Sequence, residues 1–298
     1  MQQIISSLLE PERLDTYLAN QFPGYTRSFF ARIIQKRGVT VNEKLVHKSG
    51  YIVKNEDILS FVMFEPKQKL EPCTLQNFAF EILDEQDDFL ITNKAAGLLV
   101  HSTSPNSTEP SLVQGILAKY ANLEIMQEDL RAGLVHRLDK ETSGLVLVAK
   151  NSQALSMLGN LFLNRAIKKI YLAIVIGHTE ATGSIDLPLG RDPHVRHKRK
   201  VYGLQAKEAH TEYRAIKYLK AHTLLEVQIK TGRTHQIRVH MAAIGHPVLG
   251  DFLYGQTSPL IARQALHAQK LEFVFKKNLF SYEAPLPKDM QKIIDTQE

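Results

Sequence analysis

Five consecutive apolar residues, Leu145-Val146-Leu147-Val148-Ala149, stand between Gly144 and Lys150 and constrain the fold more than any other segment. A short, Val-rich run with such boundaries reads as a core strand. The polar turn before it, His136-Arg137-Leu138-Asp139-Lys140-Glu141-Thr142-Ser143, would then sit at the mouth of that strand and present Asp139. Loops positioned by rigid strands are where catalytic groups are commonly carried. On pattern alone, Asp139 can equally be a turn carboxylate paired with Arg137 or Lys140.

At 298 residues the chain has the length of two domains, and its 44% hydrophobic content is enough for a real core. No apolar run approaches the roughly 20 residues that span a bilayer, and Met1 to Ser6 lacks the basic region and cleavage site of a signal peptide. A soluble, cytoplasmic protein with no membrane partner is expected. The single cysteine, Cys73, excludes an internal disulfide and any multi-cysteine metal site. No dinucleotide fingerprint, P-loop or His/Cys/Asp cluster at metal-ligand spacing is present, so no cofactor and no metal are expected. The net charge of +6 is unevenly spread. Between Arg191 and Lys207, six Lys or Arg (including Arg196, Lys198, Arg199 and Lys200) face one Asp, so 6 − 1 = +5. Positive charge concentrated in a flexible stretch attracts a polyanion in a salt-dependent way.

Residues 11–62 form a unit of their own. Leu14 and Leu18, four apart, start a short helix. A second follows Thr26, an N-cap candidate, through Phe29, Phe30, Ile33 and Ile34 to Gly38, which ends it. Residues 39–45 then read as strand and turn. The arrangement resembles an S4 domain, a small RNA-binding module, and that resemblance implies an RNA-facing second helix and loop. Arg27, Arg32, Lys36, Arg37 and Lys44 become the contact candidates. A stretch with Pro66 and Pro72 reads as a linker, giving an S4-like domain over 1–64, a linker over 65–77 and a second domain over 78–298. In the second domain, strands are expected at 78–83, 89–92, 145–149, 170–176, 211–218, 224–229 and 271–275. Ser152 is the expected cap of a helix running to Arg165, with Leu155, Leu158 and Phe162 on one face. Thr234 is the expected cap of another, which carries Ile237, Met241 and Ile244 and closes at Gly245. The fold class is α+β, a mixed, mostly antiparallel sheet flanked by helices and loops.

The string from His136 to Gly144 resembles the central motif of the RluA-type pseudouridine synthases. Three further segments match that family in order: Asn93 to His101, Lys168 to Ala173, and Thr231 to His240. The family usually has proline where this chain has Ala95. The resemblance implies an isomerase that moves uracil from its N1 linkage to a C5 linkage on the same ribose carbon, using neither cofactor nor metal. It makes Asp139 the catalytic carboxylate, Arg238 its cationic partner and Tyr171 the ring packed on the target base. It also makes Arg137 the residue that fills the space left by the extruded uridine, with His136 beside it facing RNA; Leu138 and Ile237 would wall the pocket. Without the family, Arg238 reads as a surface charge and Tyr171, Leu138 and Ile237 as core, while His235 and His240 read as structural or RNA-facing.

An aspartate is ionised at neutral pH, its reference pKa being about 3.9, and can act at sugar carbons. Attack at C1′, or elimination across C1′ and C2′ with re-addition, would each use one carboxylate. The implied partner is RNA, large-subunit ribosomal RNA before transfer RNA, and a monomer is the default. A non-catalytic S4-type RNA-binding or ribosome-assembly protein and a nucleoside hydrolase are the competing readings. The first would bind RNA without turnover; the second would release free uracil.

Overall fold

The computed structural model describes residues 2–22, 27–62, 80–101, 109–120 and 133–297. Thr26, Cys73, the linker 65–77 and the side chain of Arg32 lie outside the described set.

In the amino-terminal unit, β1 (Gln2–Ile5), β2 (Glu12–Arg13), β3 (Val39–Val41), β4 (Lys44–Val46), β5 (Ile52–Val53) and β6 (Ile58–Phe61) accompany two helices, Leu14–Gln21 and Arg27–Arg37. One sheet runs β1-β6-β3-β4, and β2 pairs with β5. Leu14 and Leu18 from the first helix and Phe30 and Ile34 from the second meet Val39, Val41, Leu59 and Phe61 of the sheet in one core. The second helix stops because Gly38 turns left-handed at φ +80° while its N–H still reaches Ile34 O at 3.0 Å.

The larger unit contains β7 (Phe80–Glu85), β8 (Phe89–Lys94), β9 (Ser143–Ala149), β10 (Lys168–Ile176), β11 (Thr182–Asp186), β12 (Leu189–Arg191), β13 (Arg199–Val201), β14 (Leu204–Lys207), β15 (His210–Tyr218), β16 (His222–Ile229), β17 (Leu266–Phe275) and β18 (Asn278–Glu283). The main sheet runs β11-β15-β16-β10-β17-β9-β8-β7, with β18 also paired to β17. Its described pairings are antiparallel except β17 with β9. The expected α+β class with a mixed, mostly antiparallel sheet is what forms. All seven expected strands exist, most of them longer than expected.

The apolar run is buried along its whole length, and alternation splits it between two cores. Leu145, Leu147 and Ala149 pack with Phe89, Phe273 and Leu158 of the helix Ser152–Leu163. Val146 and Val148 pack with Leu90 and with Leu112 and Ile116 of the helix Leu112–Lys119. A strand covered on both faces needs no polar alternation, which is why the run is continuous.

Three local expectations are corrected. The cap of the helix Ser152–Leu163 is Asn151, whose Oδ1 accepts the Ala154 N–H at 2.8 Å, and the helix ends before Arg165, which is left-handed at φ +58°. Thr234 caps nothing: His235 holds the N-cap position of the helix Gln236–Ala243 at φ +59°, without a side-chain cap bond. The basic tract is not a flexible stretch but a three-stranded antiparallel sheet, β13-β12-β14. It closes because Gly190 lies against Gly203, where an added Cβ would come within 2.4 Å of backbone. No helix among the described residues is long and apolar enough to cross a membrane.

Candidate active site

Asp139 lies in the loop that enters β9. That loop is fixed at its far end by Gly144, at φ +113°, whose hypothetical Cβ would lie 2.2 Å from Ala268 O on β17. Only glycine lets β9 and β17 pair in parallel this close to the loop. On its other side the loop is held by Lys94, which is fully buried. Its ammonium donates to Ala95 O, Leu98 O and Lys140 O at 2.8, 2.9 and 2.9 Å. Burial pushes Lys94 down to about 7, opposed by the charge of Glu141.

The structure brings Arg238 to Asp139 across 99 residues of chain. Arg238 Nη1 donates to Asp139 Oδ2 at 3.0 Å, while Nε and Nη2 donate to the two oxygens of Asp251 at 2.6 and 2.9 Å. The residue is 4% exposed and Asp251 is 0% exposed, so Arg238 is not the surface charge its helix pattern suggests. Asp251 also accepts the N–H groups of Leu253 and Tyr254 at 3.0 and 3.3 Å. The Tyr254 ring lies under the guanidinium, 5.1 Å from its centroid. Burial alone would lower the pKa of Arg238; the carboxylates, Asp251 foremost, outweigh it and raise it above the ordinary guanidinium value.

Asp139 keeps its second oxygen open. The side chain is 19% exposed, and His235 Nε2 stands 3.8 Å from Oδ1. His235 Nδ1 is bonded to the Tyr254 hydroxyl at 2.7 Å, and that hydroxyl accepts the Arg199 N–H at 2.8 Å. Burial lowers the His235 pKa, against the charge of Asp139. His240 bonds Thr211 Oγ1 and Leu187 O, each at 2.9 Å, and is structural.

Leu138, Asp139, Tyr171, His235, Ile237 and Arg238 line one small cavity of about 60 Å³. Leu138 and Ile237 thus border the same cavity as Asp139. Tyr171, buried on β10, also faces a larger groove of about 870 Å³ that includes His136, Arg137, Phe162, Arg165, Lys169 and Arg233. Burial raises the pKa of the Tyr171 hydroxyl, and the charge of Asp139 raises it further, so it is a neutral phenol at physiological pH. Arg137 is exposed and, among the described residues, has no ion pair, so neither Asp139 nor Glu141 holds it. His136 is tied down: its Nε2 accepts the Leu147 N–H at 2.9 Å and its ring stacks on Phe162 at 4.8 Å. Burial, then the charge of Lys169, pushes it down to about 3, so the ring anchors the turn on β9 as a neutral acceptor and is not a free RNA-facing group.

The remaining RNA candidates lie apart from this cleft in sequence. Arg27 donates to Asp15 Oδ2 at 3.1 Å, and Lys36, Arg37 and Lys44 are exposed in the amino-terminal unit. Arg196 and Lys200 are exposed and Lys198 and Arg199 half-buried on the small basic sheet and its turn. Sequence pattern did not single out Lys94, Asp251 or Tyr254. The one signal available was a Gly250-Asp251 step leading through Tyr254 to Gly255, which marks a turn without revealing that its acid faces inward.

Comparison with known proteins agrees with this geometry. A family model described as RNA pseudouridylate synthase matches residues 88–243, and the S4 domain model matches residues 12–59. The ribosomal large subunit pseudouridine synthase D of Neisseria meningitidis serogroup A is 37% identical over 296 residues, covering 95% of this chain and 78% of that protein. Its namesake from Escherichia coli K12 is 36% identical, covering 95% and 90%. An uncharacterised RNA pseudouridine synthase of Chlorobaculum parvum is 37% identical, covering 98% and 95%. Human RNA pseudouridylate synthase domain containing 1 has the same fold, with a TM-score of 0.58 at 24% identity over 76% of this chain and 97% of that one. With an S4 RNA-binding domain in front and the conjoined Asp139 and Arg238 in its cleft, the chain belongs to the RNA pseudouridylate synthases, which are isomerases.

Proposed function

We propose that this enzyme isomerises specific uridines of large-subunit ribosomal RNA in the cytoplasm, acting as a monomer, with Asp139 as its catalytic carboxylate. The observation that carries the assignment is the Asp139–Arg238–Asp251 line. One oxygen of Asp139 is bound to a cation that a buried acid holds in place, and the other, Oδ1, has no hydrogen bond among the described residues in a side chain that lines the cavity. A guanidinium gripped at both ends holds its neighbour in place without following it into the reaction. In the reaction the N1–C1′ bond breaks, the uracil turns, a C5–C1′ bond forms, the C5 proton leaves to water and N1 takes up a proton in its place. Oδ1 either attacks C1′ or removes the C2′ proton, and composition is unchanged in both cases. Tyr171 packs on the base as a neutral ring, Leu138 and Ile237 close the pocket, and Arg137, unpaired at the rim, fills the stack that the extruded uridine leaves. We take the domain limits as 1–64 and 78–298 with a linker between them, a division supported by an amino-terminal core that shares no residue with the cores of the larger unit.

The names of the relatives and the S4 domain support ribosomal over transfer RNA. The test supplies deproteinised large-subunit ribosomal RNA and, separately, transfer RNA, each tritiated at uridine C5. Wild-type protein should release label from the first, and Asp139→Asn should not. Release by the variant at the wild-type rate refutes the role of Asp139. Tight binding without release would favour a non-catalytic RNA-binding protein, and free uracil in the product would favour a hydrolase.

A further inference from the structure

Lys169 lies two residues before Tyr171 on β10, so the two side chains share a face of the strand about 7 Å apart. Both line the 870 Å³ groove. Lys169 is only 6% exposed, yet among the described residues its ammonium has no hydrogen-bond or ion-pair partner. The contact it makes is with the Phe162 ring, 5.8 Å from the centroid. A largely desolvated cation at the wall of a groove, with its stem buried and no anion beside it, is one that proteins ordinarily pair. Among the described residues, the rest of the groove offers no partner. Its described lining holds Arg137, Arg165, Lys169, Lys230 and Arg233, and neither an aspartate nor a glutamate. Burial, then the like charge of Arg165, pushes Lys169 down to about 8, which leaves it protonated at neutral pH.

We propose that Lys169 is the seat of a backbone phosphodiester flanking the target uridine, with Arg137, Arg165 and Arg233 as the outer wall of the same groove. The inference rests on the isomerase reading and adds a contact to it. The base enters the small cavity at Asp139 and Tyr171, and the phosphate one step along the strand meets the unpaired ammonium. Phe162 keeps the lysine stem in place, and the helix Ser152–Leu163 that carries it forms the opposite bank. Nothing in the RNA's sequence is read at this site. It sets the register of the strand, so that one nucleotide and not its neighbour lies over the pocket.

The test measures binding of the full-length chain to transcribed large-subunit ribosomal RNA across a salt series, for wild type, Lys169→Met and Lys169→Glu. Loss of one phosphate contact should make the plot of log Kobs against log salt shallower by about 0.7–0.9, with affinity about 10-fold lower near 0.1 M salt. Lys169→Met should melt no lower than wild type, because it removes an unpaired, largely desolvated charge and keeps the stem. A salt slope equal to wild type in both variants overturns the proposal, and a large loss of Tm with an unchanged slope makes Lys169 structural instead. The contact is then located with the shortest RNA fragment that wild type modifies, carrying single uncharged methylphosphonate linkages around the target uridine. One linkage should weaken wild type and leave Lys169→Met unaffected, whereas losses that add at every linkage overturn the proposal. Wild type that binds but releases no tritium would sink the isomerase reading and leave the salt slope to judge Lys169 separately.

Discussion

Replacing Asp251 by alanine separates the orientation of Arg238 from its charge. The substitution strips the acceptor from four donors at once: Arg238 Nε and Nη2, at 2.6 and 2.9 Å, and the N–H groups of Leu253 and Tyr254. All are at a residue with 0% exposure, so water does not replace the carboxylate freely. Removing one partner of a buried ion pair costs about 3–5 kcal/mol. At about 2–4 °C per kcal/mol for a domain of this size, Tm should fall by roughly 6–20 °C. The rate should fall as well, because Arg238 would be held by Asp139 alone, and a displacement of about 1 Å at a reacting group costs on the order of 10²-fold. Affinity for RNA should not move, since Asp251 cannot touch it. The assay is single-turnover release of C5 tritium at saturating RNA below the lowered Tm, beside a thermal melt. Asp251→Asn, which keeps one acceptor, should fall between. A rate for Asp251→Ala equal to wild type would show that Asp251 does not position Arg238, and an unchanged Tm would refute the burial argument itself.

Lys94→Met should loosen the Asp139 loop by removing the ammonium that ties the Ala95, Leu98 and Lys140 carbonyls together, lowering Tm by several degrees and the single-turnover rate more than 10-fold. Hydrogen exchange at the Gly97 N–H, which donates to the same Lys140 carbonyl at 3.0 Å, should speed up; unchanged protection would count against a clamp. Acid should destabilise the fold through two buried imidazoles. Burial and then Lys169 push His136 down to about 3, and burial pushes His267 down to about 4, so below pH 6.5 the unfolded chain takes up protons that the folded chain refuses. Their stabilisation is present above pH 6.5 and lost as pH falls. Between pH 6.5 and 5 the loss is about 2 kcal/mol per histidine at 1.36 kcal/mol per pH unit. Urea midpoints should drop over that window and flatten in a His136→Gln/His267→Gln double variant; a wild-type midpoint insensitive to pH would contradict the assignment.

Strands buried on both faces were legible because continuous apolar runs have few other uses, and the turn at Asp139 was legible because polar residues crowd against such a run. β12, β13 and β14 were hidden, since only Leu189 and Gly190 among their residues are buried and their pairing depends on the contact between Gly190 and Gly203, not on alternation. The caps misled because Ser152 and Thr234 have capping chemistry, but Asn151 stands one residue earlier and His235 reaches a left-handed backbone that no propensity favours. Within the site, the pairing of Arg238 with Asp139 was implied by family resemblance alone. Asp251 was not implied at all, because a buried acid gives no local sign when its partner comes from another element. Lys169 was visible only as half of a Lys168-Lys169 pair on a strand, and alternation is what sends one outward and the other into the groove.

The alternating line of Asp139, Arg238 and Asp251 sums to one negative formal charge, and the cavity that holds Asp139 and Arg238 adjoins, through Arg137, Tyr171 and Arg233, a groove whose charged lining is cationic. A nucleotide entering this field is sorted by its parts. Its phosphates are drawn to the cationic groove and turned away from the acids, while the uncharged sugar and base can approach them without an electrostatic penalty. Selection of which atoms reach the acid thus begins before any hydrogen bond to uracil forms.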